Sequence, residues 1–373
     1  MRCRIFRGRP LDRRGLRRKR ETIVSNSIFS IDVEDWFNLS GTGAEPPPSE
    51  WDRLESRLEQ NFRGLLGLLA EANVTATCFV VGYFAKRFPQ LIREAAAAGH
   101  EIASHGYFHR LIYQMSSVEF YKDARAAREL LEDVSGKPVR GFRAPAFSVT
   151  ERTPWFFDKL LEAGYIYDSS VFPAPHQTGG LANGKFAPYI AKTRMGAIEE
   201  FPITAVRLLG KPMCFFGGGY LRLFPYPVIR AMGRRALDEG RPVIFYVHPR
   251  EIDPQQPRMA LSRRRRFTCY VNLKSTRPKI ERILRDFQVT SFDRYMAERD
   301  VAERDVVQKN TQRMAQCTNA HRASSIVMRS ISIRSTATTT RRWNASPTGC
   351  SATPCWYVIR RRLPAASRPP AAA

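Results

Sequence analysis

Residues 24–36 read VSNSIFSIDVEDW: an apolar run, Ile28, Phe29, Ser30 and Ile31, that ends in Asp32, Val33, Glu34, Asp35 and Trp36. An apolar strand that opens onto three acids within four residues is not an ordinary solvated surface, because the carboxylates follow directly on a stretch that must be buried. Side chains alternate along a strand, so Asp32 and Glu34 share a face, while a turn past the strand end could bring Asp35 round instead.

Outward from this strand the chain alternates between short apolar runs and amphipathic ones. Residues 51–72, with Leu54, Leu58, Phe62, Leu65, Leu66 and Leu69 at helical spacing, predict a helix. Ala76–Gly82 predicts a buried strand, Lys86–Ala98 a helix stopped by Gly99, and His100–Ser104 another strand. Ser116 followed by Glu119 is a capping box for a helix over 117–134, which Gly136 and Pro138 end. Arg140–Phe142 is a strand candidate, Thr153-Pro154 opens a helix as N-cap and first residue, and Tyr165–Tyr167 leads into Asp168. Val243–Val247 predicts a strand ending at His248-Pro249, followed by a helix over Pro278–Phe287 and a short strand at Val289–Phe292. Strands alternating with helices make this an α/β fold with parallel βαβ units. Asp32, His105, Arg143, Asp168 and His248 fall at successive strand ends, where parallel α/β architectures collect catalytic groups.

The formal charge of +25 belongs mainly to the ends of the chain: residues 1–20 carry +9 and residues 301–373 carry +10, leaving +6 for 21–300. The basicity therefore gives no reason to expect nucleic acid as a partner of the folded domain. Three regions are expected: a basic disordered N-terminal tail (1–22), a catalytic domain (23–300) and a low-complexity disordered tail (301–373). The seven cysteines form no CxxC pair or regular framework, which argues against a disulfide scaffold or a thiolate zinc site. No run of 18 apolar residues and no apolar leader core is found, so neither a transmembrane helix nor a secretory signal is expected, and a cytoplasmic location follows.

The sharpest motif is His105-Gly106-Tyr107-Phe108-His109, whose two imidazoles can face one metal if the segment is helical or turn-like. A catalytic zinc takes about three protein ligands, and Asp32, Glu34 and Asp35 are the candidates for the third. Arg143, in Arg143-Ala144-Pro145, can pair with a catalytic carboxylate. Asp168-Ser169-Ser170 and Val247-His248-Pro249 supply a further acid and imidazole, a combination suited to a general acid. The glycine-rich Phe215–Tyr220 lacks phosphate-loop spacing and reads as a loop with close backbone packing.

In this order the five features resemble those of the polysaccharide deacetylase family, carbohydrate esterase family four with its nodulation-deacetylase homology domain, over about residues 24–295. The Asp-Val-Glu-Asp-Trp-Phe opening, a downstream stretch like Phe267–Ile283, and Phe292 are similar to the branch associated with exopolysaccharide operons, whose family-specific extension would occupy about 250–300. The resemblance implies a distorted, incomplete (β/α) barrel that removes N-acetyl groups from an N-acetylated glycan. It implies one divalent metal, zinc or else cobalt or another first-row ion, held by His105, His109 and either Glu34 or Asp35. It makes Asp32 the general base, Arg143 its orienting partner, and Asp168 the support of His248, the general acid. Because the family's first motif is usually two adjacent acids, Glu34 as base with Asp35 as ligand stays open. In the nearest branch His-Pro is usually followed by Trp-Glu, whereas Arg250-Glu251 stands here. The alternatives are a small-molecule amidohydrolase of the same fold, opening a cyclic amide, and a catalytically silent carbohydrate-binding protein.

Overall fold

The computed structural model describes residues 26–174, 178–181, 184–305, 308 and 311. The expected N-terminal tail, and all of the expected C-terminal tail beyond these positions, lie outside the described residues. The elements run β1 (Ser27–Val33), α1 (Leu58–Glu71), β2 (Thr77–Val80), α2 (Gly82–Arg87), α3 (Pro89–Ala97), β3 (Glu101–Ser104), α4 (Ser117–Ser135), β4 (Gly141–Phe142), α5 (Phe156–Glu162) and β5 (Tyr167–Asp168). They continue as β6 (Tyr189–Lys192), β7 (Ala197–Glu200), β8 (Ala205–Leu208), β9 (Lys211–Cys214), α6 (Gly218–Leu223), α7 (Tyr226–Asp238), β10 (Val243–Val247), α8 (Arg263–Tyr270), α9 (Thr276–Asp286) and β11 (Val289–Thr290). Residues 292–305 are helical, so a helix runs across the expected domain limit at 300.

The main sheet has the order β10-β1-β2-β3-β4-β5-β7-β6 and is parallel except for the edge strand β6, while β11 joins the start of β1. The path has two ends, β10 and β6, and forms a curled half-barrel. β8 and β9 make a separate antiparallel pair. Every residue of β1 is buried, as expected of a central parallel strand covered on both faces. Alternation divides its side chains. Phe29, Ile31 and Val33 join Cys78, Val80 and Ile102 in the core beneath the helices. Ile28 joins Phe79, Ala103, Tyr167, Tyr246 and Phe292 in a second apolar cluster. Ser30 and Asp32 are in phase with Ile28, so the strand pattern itself directs the Asp32 carboxylate to that second face.

Three expected helices differ in extent, each for a local reason. The helix expected over 51–72 is a 3-10 turn at Pro48–Arg53 followed by α1, because Ser56 and the Arg57 N–H are tied to the distant Asp35 carboxylate. The helix expected over 86–98 divides into α2 and α3 at Phe88, whose φ of −127° and ψ of 56° leave the helical region immediately before Pro89. Thr153 does not cap α5; its hydroxyl donates to the Thr150 carbonyl, and the helix begins at Phe156. The capping box of α4 forms as read, with Ser116 and Glu119 reciprocally bonded and Gly136 in the left-handed conformation at φ 66°. Among the described residues no helix is long and apolar enough to cross a membrane.

One glycine tests the packing. Gly141 on β4 sits opposite Tyr167 on β5, and a Cβ there would lie 2.0 Å from the tyrosine ring. Tyr167 cannot move aside easily, because its hydroxyl donates to Glu101 at 2.7 Å. Gly141→Ala is therefore expected to destabilise the protein by about 3 kcal/mol. The check is the denaturation midpoint in urea; a midpoint equal to wild type would show that the strands are not this close.

Candidate active site

The carboxyl ends of β1, β3, β4 and β10 bring Asp32, Glu34, His105, His109, Arg143 and His248 to one end of the sheet, and all are buried except the partly exposed His248. His105 follows β3 directly. The segment from His105 to His109 is a turn, with Gly106 at φ 72° and His109 at φ 53°. Its carbonyls at Gly106 and Tyr107 accept from the N–H groups of Gly82 and Tyr83 at the start of α2, and Asp123 of α4 accepts from the Tyr107 N–H at 2.8 Å. The loop conformation is thus set by two helices rather than by its own sequence.

Among the described residues, Glu34, His105 and His109 form the group of metal-type ligands whose donor atoms all lie within 4.8 Å of one another. The protonation pattern suits a cation. His105 Nδ1 lies 2.7 Å from the Arg143 carbonyl oxygen, which can only accept, so Nδ1 carries the proton and Nε2 keeps its lone pair. His109 Nδ1 pairs with the Ser40 hydroxyl at 3.2 Å. His109 Nε2 is buried, has no hydrogen-bond partner of acceptable geometry, and stands 2.6 Å from Glu34 Oε2. A buried nitrogen left without a partner beside a carboxylate is the arrangement a shared cation would satisfy. Burial and the neighbouring His109 push His105 down to about 3, so this imidazole is neutral at physiological pH. Burial pushes the Glu34 carboxyl up, but attraction to His109, Arg250 and His105 outweighs it and holds the group below its ordinary value.

The open choice between Glu34 and Asp35 is addressed by what surrounds each. Asp35 accepts from the Ser56 hydroxyl at 2.6 Å, from the Trp36 N–H at 2.8 Å and from the Arg57 N–H at 3.1 Å. Its carboxylate anchors the entrance to α1 and is not part of the ligand cluster.

Asp32 is held by Arg143, whose side chain is wholly buried. Its Nη1 donates to Asp32 Oδ1 at 2.7 Å and to Ser30 Oγ at 2.8 Å, while Nε and Nη2 donate to the carbonyl and hydroxyl of Ser169. The guanidinium carbon lies 4.1 Å over the Phe79 ring, so both its edge and its face are fixed. The other Asp32 oxygen, Oδ2, is 3.8 Å from His248 Nε2.

The expected support of His248 by Asp168 is not found. Asp168 accepts from the Ser170 hydroxyl at 2.5 Å and shares a buried carboxyl pair with Glu200; burial raises its carboxyl to about 6 against the hydrogen bonds from Glu200 and Ser170, which pull it down. Asp168 lies on β5, with four strands between it and β10 in the sheet, and its bonds are spent locally. Glu251 takes the place beside His248 instead, with Oε2 3.2 Å from Nδ1 and 3.1 Å from the His248 N–H. The sequence carried a signal for this: Glu251 stands three residues after His248 in a turn begun by Pro249. Burial first, then the charge of Arg250, lowers His248 well below its ordinary value.

A cleft of about 460 Å³ opens over this cluster, lined by Glu34, His109, Tyr246 and His248 and by residues of α6 and α8. The glycine-rich stretch read as a loop contributes here: it starts α6, and Gly217 packs so closely on Tyr246 that a Cβ would lie 2.2 Å from the ring.

Residues 51–165 match the family described as Polysaccharide deacetylase, and residues 169–297 match a domain of unknown function, DUF3473. The first match takes in His105, His109 and Arg143, and the second His248. A peptidoglycan deacetylase of Helicobacter pylori is 27% identical over 173 residues, 46% of this chain and 54% of that protein. A chitooligosaccharide deacetylase of Sinorhizobium fredii is 45% identical over 71 residues, 19% of this chain and 32% of that protein. The chain thus spans about half, or less, of the length of these curated relatives. The crystal structure of a putative polysaccharide deacetylase from Mycobacterium smegmatis is similar at 25% identity and a TM-score of 0.49, covering 77% of this chain and 92% of that one.

Proposed function

We propose that this chain, with its polysaccharide deacetylase match over residues 51–165, is a metal-dependent hydrolase that removes N-acetyl groups from an amino-sugar glycan. The observation that carries the reading is the buried Glu34–His105–His109 cluster beside a carboxylate, Asp32, clamped by a buried arginine. Named relatives that are peptidoglycan and chitooligosaccharide deacetylases support the reaction class.

In this reading Glu34, His105 and His109 hold one divalent ion, for which zinc or another first-row metal suits an imidazole-rich donor set. When bound, the ion supplies Lewis-acid polarisation and offsets the charge that develops on the acetyl oxygen. Asp32 is the general base: Arg143 engages Oδ1, leaving Oδ2 to take a proton from the attacking water. His248, its Nε2 3.8 Å from Asp32 Oδ2, stands where that proton can pass to the amine nitrogen as the C–N bond breaks. Because its environment disfavours the charged form, His248 rests neutral and gives up a proton readily once it has one. Glu251, its Oε2 3.2 Å from Nδ1, places a carboxylate on that side of the imidazole. Water and amide are consumed, and acetate and a free amine are formed. The similarity of Asp32–Phe37 to the exopolysaccharide-operon branch points to a glycan made for export, or its precursor, as the substrate.

The test is acetate release from N-acetylglucosamine oligomers before and after chelation. Chelation to under about 0.1 metal per chain is expected to remove activity by at least about 100-fold, with recovery on adding zinc or cobalt. Release that persists at full rate without metal overturns the metal dependence. A folded, metal-loaded protein that releases no acetate from any N-acetylated glycan overturns the deacetylase reading.

A further inference from the structure

We propose that the glycan is acidic: a sugar chain bearing carboxylate or phosphate groups close to the N-acetyl sugar that is processed. The inference rests on the deacetylase reading and concerns the arginines that line the same cleft. Among the residues that line it, Glu34 is the sole carboxylate, against Arg222, Arg250, Arg264 and Arg265. Local acids offset part of this charge. Arg222 is paired with Glu251 inside the protein, and Glu34 is committed to His109 and the metal cluster. What remains facing the cleft is strongly positive.

Two observations go beyond a generally basic surface. Arg250 is only 7% exposed, yet its Nε and Nη1 are buried without a hydrogen-bond partner; the nearest carboxylate oxygen, on Glu34, is 3.7 Å from Nε. Buried guanidinium N–H groups without acceptors are costly, and an anionic ligand supplies the missing acceptors with charge assistance. In the same lining, α8 begins with four consecutive arginines, Arg263–Arg266, and has no buried residue; Arg265 donates to the Gly41 carbonyl, and the exposed Arg264 also lines the cleft. Four adjacent cations on one short helix repel each other, a cost that an anion in the cleft relieves. Phe267, 56% exposed on the same helix and also lining the cleft, adds an apolar face for a sugar ring.

The probes are an N-acetylated hexasaccharide with alternating uronates, a neutral N-acetylglucosamine hexamer, and the neutral hexamer carrying a terminal phosphate. Each is titrated calorimetrically into metal-loaded Asp32→Asn protein, so that binding is read without turnover. At low ionic strength at least one acidic probe is expected to bind about tenfold or more tightly than the neutral hexamer, with the gap closing as salt is added. Comparison of the two acidic probes separates carboxylate from phosphate. Arg250→Gln and Arg264→Glu, each added to this background, are expected to reduce the gap about tenfold, while Arg285→Gln on α9, outside the cleft lining, leaves it in place. Circular dichroism melts establish that the variants are folded; since Arg264 is exposed, its variant is informative even if Arg250→Gln fails to fold. Equal affinity for all three probes overturns the proposal and leaves the deacetylase reading standing. Tight acidic binding with no acetate release by wild type from any probe upholds anion recognition and overturns the deacetylase reading.

Discussion

His105→Ala is expected to reduce bound metal from about one to under about 0.1 per chain and to lower acetate release by about 1,000-fold or more, because removing one of three protein ligands leaves too few donors for a catalytic site. His105 offers Nε2 because its Nδ1 is spent on the Arg143 carbonyl, and that same residue clamps Asp32. In the proposed reading the substitution therefore removes a ligand and a strut between the metal cluster and the base. His109→Ala should behave alike in metal content, since its Nε2 faces Glu34. Metal analysis by mass spectrometry on protein of unchanged circular dichroism is the check. If both variants retain one metal per chain, the cluster is not the metal site.

The second large effect is expected at Asp32. Asn is nearly isosteric and still offers Arg143 an oxygen acceptor, but it cannot take a proton. Asp32→Asn should lower kcat about 1,000-fold while leaving metal content near wild type. Stability should also fall, by about 3 kcal/mol, because the wholly buried Arg143 loses its charge partner. The separation of the two readouts is what distinguishes base from ligand. Concurrent loss of metal and activity would make Asp32 a ligand, and Glu34→Gln with metal retained would then mark Glu34 as the base.

The β1 pattern, the α4 capping box and the strand-end positions of His105, Arg143 and His248 were legible because each depends on neighbours within a few positions. The extents of α1 and α3 were not, because a distant carboxylate and the non-helical Phe88 before Pro89 override local propensity. Asp168 shows the same limit in the site itself: an acid on a strand end looks available until its serine and its Glu200 partner are seen.

The sequence alone determined the α/β class, the two imidazoles after β3, and the shared facing of Asp32 and Glu34, since alternation along a strand is a property of the backbone. Only the tertiary structure decided which acid lies beside those imidazoles, which carboxylate lies near His248, and which arginines line the cleft. Each of these is a pairing between residues distant in the chain or a choice among competing hydrogen-bond donors. Such pairings are settled by where the curled sheet and its helices place the competitors, not by any spacing that can be read along the chain.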